Sequence, residues 1–296
     1  MVILVEPFDE KLKNFVMTYG SADQGQLGRL TERLCARDGP HRQEKDAYPT
    51  EAMVKEWTKA LESENAEDVT AEQEAMVEYN KKMVGRRSSL ACVQTLLAFK
   101  RVQIKTKKAA STINRIFAGG WASGAVDSEG NVYSWGLNNY GQLGHENGKK
   151  TLQYKPKFAK KFEGMKVRTV AAGQHHSIIL TEEGKVFSVG RGDTGQLGVP
   201  FAAGAPQESA TPVPVGGELV GETVTQISCG GTCSFAIAEE SGKAFAWGFG
   251  ENHQLGTPDD EDRAEPTLIE GKQLEERTII HIDAGGQHSC AATIDN

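Results

Sequence analysis

Two histidines sit in a setting that suggests chemistry. His175 and His288 each follow a glutamine, in the phrases AAGQHHSIILTEEG from Ala171 and AGGQHSCAATID from Ala284. An imidazole titrates near neutrality and both donates and accepts hydrogen bonds, so it suits proton transfer, metal ligation or polar contact. The phrase occurs twice more, as AGGWASGAVDSEG from Ala118 and CGGTCSFAIAEESG from Cys229, and there Ala122 and Cys233 read as the equivalent residues. A small residue is enough at that place, so packing alone does not call for histidine. The plainer alternative is a hydrogen-bonded histidine that braces its loop. His176, next door, reads as a packed residue.

Other chemistries fall away. Cys229 and Cys233 have three residues between them and no second pair follows, which is not metal-ligand spacing. Cys229 takes the place of Ala118, Ala171 and Ala284 in the other copies, as a small buried residue would. The five cysteines suggest a reducing compartment rather than a disulfide framework. Gly190, Gly192 and Gly195 satisfy the glycine pattern of a dinucleotide-binding turn, but that motif needs a helix N-terminus behind it. Here Gln196-Leu197-Gly198 and Pro200 follow, and Gly190 and Gly195 match turn glycines Gly136 and Gly141 of another copy. No Ser/His/Asp set and no paired carboxylates stand at a useful spacing. The expectation is a protein without chemical catalysis, cofactor or metal.

The elements that position these residues repeat. NVYSWGLNNYGQLG, from Asn131 to Gly144, returns as KVFSVGRGDTGQLG from Lys185 to Gly198 and as KAFAWGFGENHQLG from Lys243 to Gly256. A shorter copy, MTYGSADQGQLG, runs from Met17 to Gly28. Steps between the copies' last glycines are 54 and 58 residues, the period of a propeller, solenoid or array. Each unit carries two apolar runs around a Glu-Gly or Ser-Gly turn, which predicts a hairpin. In its second run Tyr133 and Trp135, Phe187 and Val189, or Phe245 and Trp247 lie two apart, on one face of a strand. The glycine after each pair, Gly136, Gly190 or Gly248, is expected to end that strand. Small antiparallel sheets repeated radially make a β-propeller.

At this point the residues resemble a family. The order GGQH, strand, Glu-Gly turn, strand, Trp-Gly, GQLG is similar to the repeat of the regulator of chromosome condensation family. FAWGFGENHQLGTPDDEDRAEP and GKQLEERTIIHIDAGGQH resemble that family's last blade and closing strand, and YGSADQGQLGRLTERLCARDG resembles a middle blade. The likeness covers about residues 15–42 and 86–296. It implies an all-β fold, a partial or open form of a seven-bladed β-propeller. It also implies guanine-nucleotide exchange on the small GTPase Ran, chromatin association, and a nuclear location. Histidines in the blades of His175 and His288 belong, by that resemblance, to the GTPase-facing exchange surface. The family's wedge, its early-blade acidic residue and its basic DNA-binding tail have no counterpart among these repeats. The alternative is a non-catalytic propeller scaffold for protein–protein interaction.

Three segments follow: 1–42, a lead and half-blade; 43–85, an acidic helical insertion; and 86–296, the blades, with a closing half-blade at 282–296. That half-blade is expected to pair with Phe15–Tyr19. The insertion holds eleven acids against five lysines, so it carries −6 of the chain's net −7. Met53, Trp57 and Leu61 lie at helical spacing, and Thr70 with Gln73 reads as a capping box. Residues 86–115 are the opposite, with Arg86, Arg87, Lys100, Arg101, Lys105, Lys107, Lys108 and Arg115 and no acid. Lysines are a usual device on an exposed sheet edge; the sharper reading is phosphate contact with a nucleosome or DNA. The first residues lack the basic and long apolar regions of a signal peptide, and no apolar stretch approaches membrane-spanning length. An intracellular protein with no membrane partner is expected.

Overall fold

The computed structural model describes residues 2–5, 15–18, 100–102, 104–145, 152–239, 241–272, 274 and 277–295. The insertion at 43–85, Arg86 and Arg87 lie outside these residues. The strands, in chain order, are β1 (Val2–Val5), β2 (Phe15–Thr18), β3 (Lys100–Val102), β4 (Ile113–Ala118), β5 (Ala122–Asp127), β6 (Val132–Leu137), β7 (Leu152–Phe158), β8 (Val167–Ala172) and β9 (His176–Thr181). They continue as β10 (Val186–Arg191), β11 (Glu208–Pro214), β12 (Val224–Cys229), β13 (Cys233–Ala238), β14 (Ala244–Gly248), β15 (Arg263–Leu268), β16 (Arg277–Ala284) and β17 (Ser289–Asp295). β4 to β7, β8 to β11 and β12 to β15 form three four-stranded antiparallel sheets, one per full repeat. These are propeller blades, here blades I, II and III. A three-stranded sheet, β1-β2-β3, precedes them and the hairpin β16-β17 follows.

Local chemistry builds each blade. The Asp127 carboxylate accepts from the backbone N–H of Glu129 at 3.0 Å and of Asn131 at 2.9 Å, which holds the β5–β6 turn. The Tyr133 hydroxyl donates to the same carboxylate at 3.1 Å, and burial comes first among the causes that push that phenol up to about 12. The glycine after each aromatic pair has a stricter reason to be glycine than a strand end. Gly136, Gly190 and Gly248 take φ of 115°, 116° and 104° at a β-bulge, and a Cβ on any of them would overlap the carbonyl oxygen of Trp121, His175 or Thr232. The first two do not end their strands, which run one residue further, to Leu137 and Arg191.

The core lies between the sheets. Phe117, Val126 and Val132 of blade I pack on Val167, Val170, Ile179 and Val189 of blade II. Ile178, Leu180 and Val186 face Val224, Ile227, Phe245 and Trp247 of blade III, whose far side meets Ile279 and Ile282 of the last hairpin. A blade's second strand is therefore covered on both faces, and every residue of β5, β9 and β13 is buried. Such strands read as unbroken runs rather than alternating ones.

A polar latch repeats at each seam. The carbonyl of the glutamine in GQLG, or in HQLG of blade III, accepts from the serine in the first two residues of the second strand that follows across the seam. Ser177 Oγ donates to Gln142 O at 3.0 Å, Ser234 Oγ to Gln196 O at 3.0 Å, and Ser289 Oγ to Gln254 O at 2.6 Å. Trp247 Nε1 donates to the same Gln196 carbonyl at 3.0 Å. Ser234 has a second role, since its Oγ also receives the Nε2–H of the buried His176 at 2.9 Å. Ser234→Ala is expected to lower stability by about 2 kcal/mol, more than the roughly 1 kcal/mol for Ser177→Ala, because it strands a buried imidazole. Urea unfolding checks this; equal costs would remove the second role.

The expected pairing of the termini is not what forms. β2 has β1 on one side and β3 on the other, while β17 pairs with β16. Both edges of β2 are thereby taken. The last hairpin begins at Arg277 rather than at 282, because β16 is an eight-residue strand.

Candidate functional site on the loop end

An antiparallel meander places the first-to-second strand turn and the third-to-fourth strand loop of every blade at one end. The Gly-Gln-His phrases and the GQLG loops therefore share a face, and the Glu-Gly turns lie at the opposite end. Backbone hydrogen bonds run along this loop end from blade to blade: Gly120 N to Gly173 O at 3.0 Å, Gln174 N to Gly231 O at 2.9 Å and Gly231 N to Gly285 O at 3.1 Å.

The register of the phrase differs from the expectation. Gly119 N bonds Ala122 O, Gly173 N bonds His176 O, Gly230 N bonds Cys233 O and Gly285 N bonds His288 O, all at 2.8 to 3.0 Å. Ala122, His176, Cys233 and His288 thus hold one position, and His175 shares its own with Trp121, Thr232 and Gln287. His175 and His288 are on the same face but are not equivalent. The copy from Ala171 has one glycine where the others have two, and Gln174 takes the place of the second. The serine was the reliable mark, since Ser123, Ser177, Ser234 and Ser289 each pair with the last residue of the preceding strand.

His288 is exposed, and its ring lies against Gly285. The ring of His176 lies on Gly173 in the same way but is fully enclosed. Burial lowers the His176 pKa to about 4, against the opposing effect of the Cys233 backbone. Burial also raises the thiols of Cys229 and Cys233, which keeps them inert.

His175 has different company. Its half-buried ring meets the edge of Tyr140, from the GQLG loop of blade I, with centroids 5.4 Å apart. The Arg191 guanidinium lies 5.8 Å from the Tyr140 ring centroid and pairs with Asp193 at 2.5 Å. The backbone N–H of Arg191 donates to the His175 carbonyl at 3.0 Å. Burial, then the Arg191 charge, hold the His175 pKa below its ordinary value, while Asp193 opposes them. Burial raises the Asp193 carboxyl, but hydrogen bonds from Arg191 and Gln196 outweigh it and leave the pKa low. Tyr140, Arg191 and Asp193 were not singled out as site residues from the sequence. The signal was present: Arg191 stands where blades I and III have Leu137 and Phe249, and Tyr140 where blades II and III have Thr194 and Asn252.

The basic segment lies elsewhere. Lys100 and Arg101 are in β3, at the edge of its sheet, and Lys105 is exposed. Lys107 pairs with Glu163 and lies 4.4 Å from the Phe158 ring centroid, and Lys108 pairs with Glu129 at 2.5 Å. Glu129 belongs to the β5–β6 turn, so this part of the segment is at the end opposite His175. Gly190 and Gly195 serve the bulge and the loop of blade II, and the chain proceeds from them into a turn rather than a helix.

Residues 79–291 match the family described as the RCC1-like domain. The human Regulator of chromosome condensation is 34% identical over 203 residues, which cover 67% of this chain and 46% of that protein. The human E3 ubiquitin-protein ligase HERC2 is 38% identical over 194 residues, covering 64% of this chain and 4% of the ligase. The crystal structure of Prp20p from Saccharomyces cerevisiae overlays with a TM-score of 0.66 at 22% identity, covering 100% of this chain and 54% of that one. The chain spans less than half the length of the regulators of chromosome condensation it matches. Blades of four antiparallel strands, loop-end phrases in a fixed register and a family match over most of the sequence make this chain a member of the RCC1-like domain family.

Proposed function

We propose that the chain acts as a chromatin-associated, nuclear guanine-nucleotide exchange factor for a Ran-type small GTPase, with the loop end of the blades as the GTPase-facing surface. The observation that carries this reading is the cluster of Tyr140, His175 and Arg191 on that end, in a chain 34% identical to the human Regulator of chromosome condensation. The study of Prp20p describes binding to Gsp1p and to histones, which supports a GTPase and chromatin as partners here. An exchange factor breaks no covalent bond; it binds the nucleotide-free GTPase better than the loaded one and so loosens the nucleotide. Loops from several rigid blades, laced together at one end, suit that task. His175 and His288 are the exchange residues in this reading. For chromatin, the candidates are the basic residues Arg86, Arg87, Lys100, Arg101, Lys105, Lys107 and Lys108, of which Lys107 and Lys108 are paired with Glu163 and Glu129.

A second reading is a binding scaffold without exchange activity. The 38% identity to a segment of HERC2, a ubiquitin-protein ligase, favours it, since such blades also occur in proteins of other activity.

Release of a fluorescent GDP analogue from purified Ran, with the chain in catalytic amounts, separates the two. Exchange predicts acceleration that falls by roughly tenfold or more, above about 1.4 kcal/mol, in His175→Ala and in His288→Ala. No acceleration by a chain that melts cooperatively leaves the scaffold reading.

A further inference from the structure

A repeat protein contains its own control. What the fold needs recurs in every blade, and what departs from the repeat is free to serve something else. Three departures meet at the seam of blades I and II: Tyr140, His175 and Arg191. In the other blades their positions hold Thr194 and Asn252, then Trp121, Thr232 and Gln287, then Leu137 and Phe249. Their positions come from two blades and three separate stretches of chain, yet their side chains touch.

The group is built of hydrogen-bond donors. Among the described hydrogen bonds Arg191 uses one terminal nitrogen on Asp193, which leaves its other N–H groups for a second partner. The guanidinium is partly exposed, with 39% of the side chain accessible. His175 Nδ1 is buried without a partner, so the ring proton belongs on Nε2, where it can be donated outward. The Tyr140 ring flanks both groups.

We infer that the seam formed by Tyr140, His175 and Arg191 is a docking point for an acidic side chain of a protein partner. Charge selects the carboxylate over a phosphate. Asp193 already offsets Arg191, which leaves the charge of the seam close to balance. A dianion or a polyanion finds too little positive charge there, whereas a single carboxylate fits one edge of the guanidinium. This inference rests on the exchange reading for the identity of the partner, but not for the chemistry of the seam.

The repeat also supplies substitutions that a blade tolerates. Arg191→Leu and Tyr140→Thr install residues that other blades carry at those positions. Binding of nucleotide-stripped Ran is measured by calorimetry, with Lys185→Gln, an exposed residue at the opposite end, as the control. The expected result is about tenfold weaker binding for Arg191→Leu, a smaller loss for Tyr140→Thr and none for Lys185→Gln. Ran binding unchanged in Arg191→Leu overturns the inference while leaving the exchange reading intact. If wild type does not bind Ran, the exchange reading fails and a second probe decides the seam. The His175 ring signals are followed by NMR during titration with a capped peptide that carries a single glutamate and, separately, with inorganic phosphate. A shift with the peptide that is lost in Arg191→Leu supports the site; no shift, or an equal one with phosphate, overturns it.

Discussion

Gly190→Val is expected to cost about 4 kcal/mol or more, a large share of the stability of an ordinary domain. Gly190 sits at φ 116°, where a β-branched residue is strained, and the new side chain would meet the His175 carbonyl, the His176 backbone and Gln142 of blade I. Those groups belong to the turn and the seam, so they cannot retreat without opening both. Gly164→Val is the comparison. Gly164 also has positive φ, 83°, but nothing lies within 4 Å of a Cβ placed there. It carries the strain alone, about 1–2 kcal/mol. Denaturant unfolding of both variants gives the test. A Gly190 variant no weaker than the Gly164 variant would mean that the seam gives way easily, contrary to its packing.

The second large effect is of pH. His145 and His176 are buried and neutral, each with a pKa lowered to about 4, first by burial. Unfolded, each titrates near 6.5. Between these values the unfolded chain binds more protons than the folded one, so stability falls as pH falls from about 6.5 to about 4 and levels off below. Each histidine contributes roughly 3 kcal/mol to that loss. His175 adds to it in the same direction. Unfolding free energies of wild type, His145→Gln and His176→Gln at pH 7.5 and pH 4.5 test the assignment. The variants should start lower at pH 7.5 and lose less on acidification. Parallel losses in all three would place the proton uptake on other groups.

Much of this could be read in advance, for identifiable reasons. Turns are local, so Glu129-Gly130 and Glu183-Gly184 announce their hairpins, and the aromatic pairs Tyr133/Trp135 and Phe245/Trp247 mark their strands. Strand partners far apart in sequence are another matter. Phe15–Thr18 looks like any third strand, and nothing local says that it lies between Val2–Val5 and Lys100–Val102. β5, β9 and β13 hide their strand period because both faces are buried. The candidate site was half legible. His175 and His288 were found through their phrase, yet counting glycines placed them at one position when the serine register separates them. Tyr140 and Arg191 were missed because each belongs to a GQLG stretch that reads as scaffold. Their meaning appears only when the copies are compared position by position and two distant stretches are brought to one seam.

The placement of apolar contacts between sheets has a consequence for handling this molecule in pieces. No blade is a unit that could be excised whole, because the interior of each belongs equally to its neighbour. A cut after Pro214 would uncover one wall of Ile178, Leu180 and Val186 and another of Val224, Ile227 and Phe245. Both would be broad, flat and greasy, a form prone to self-association. Proteolysis in the exposed 202–207 loop therefore need not separate anything, while a genetic boundary drawn a few residues later would yield two insoluble halves. Mixed together before collapse, those halves should find each other, since the missing wall of each is the other.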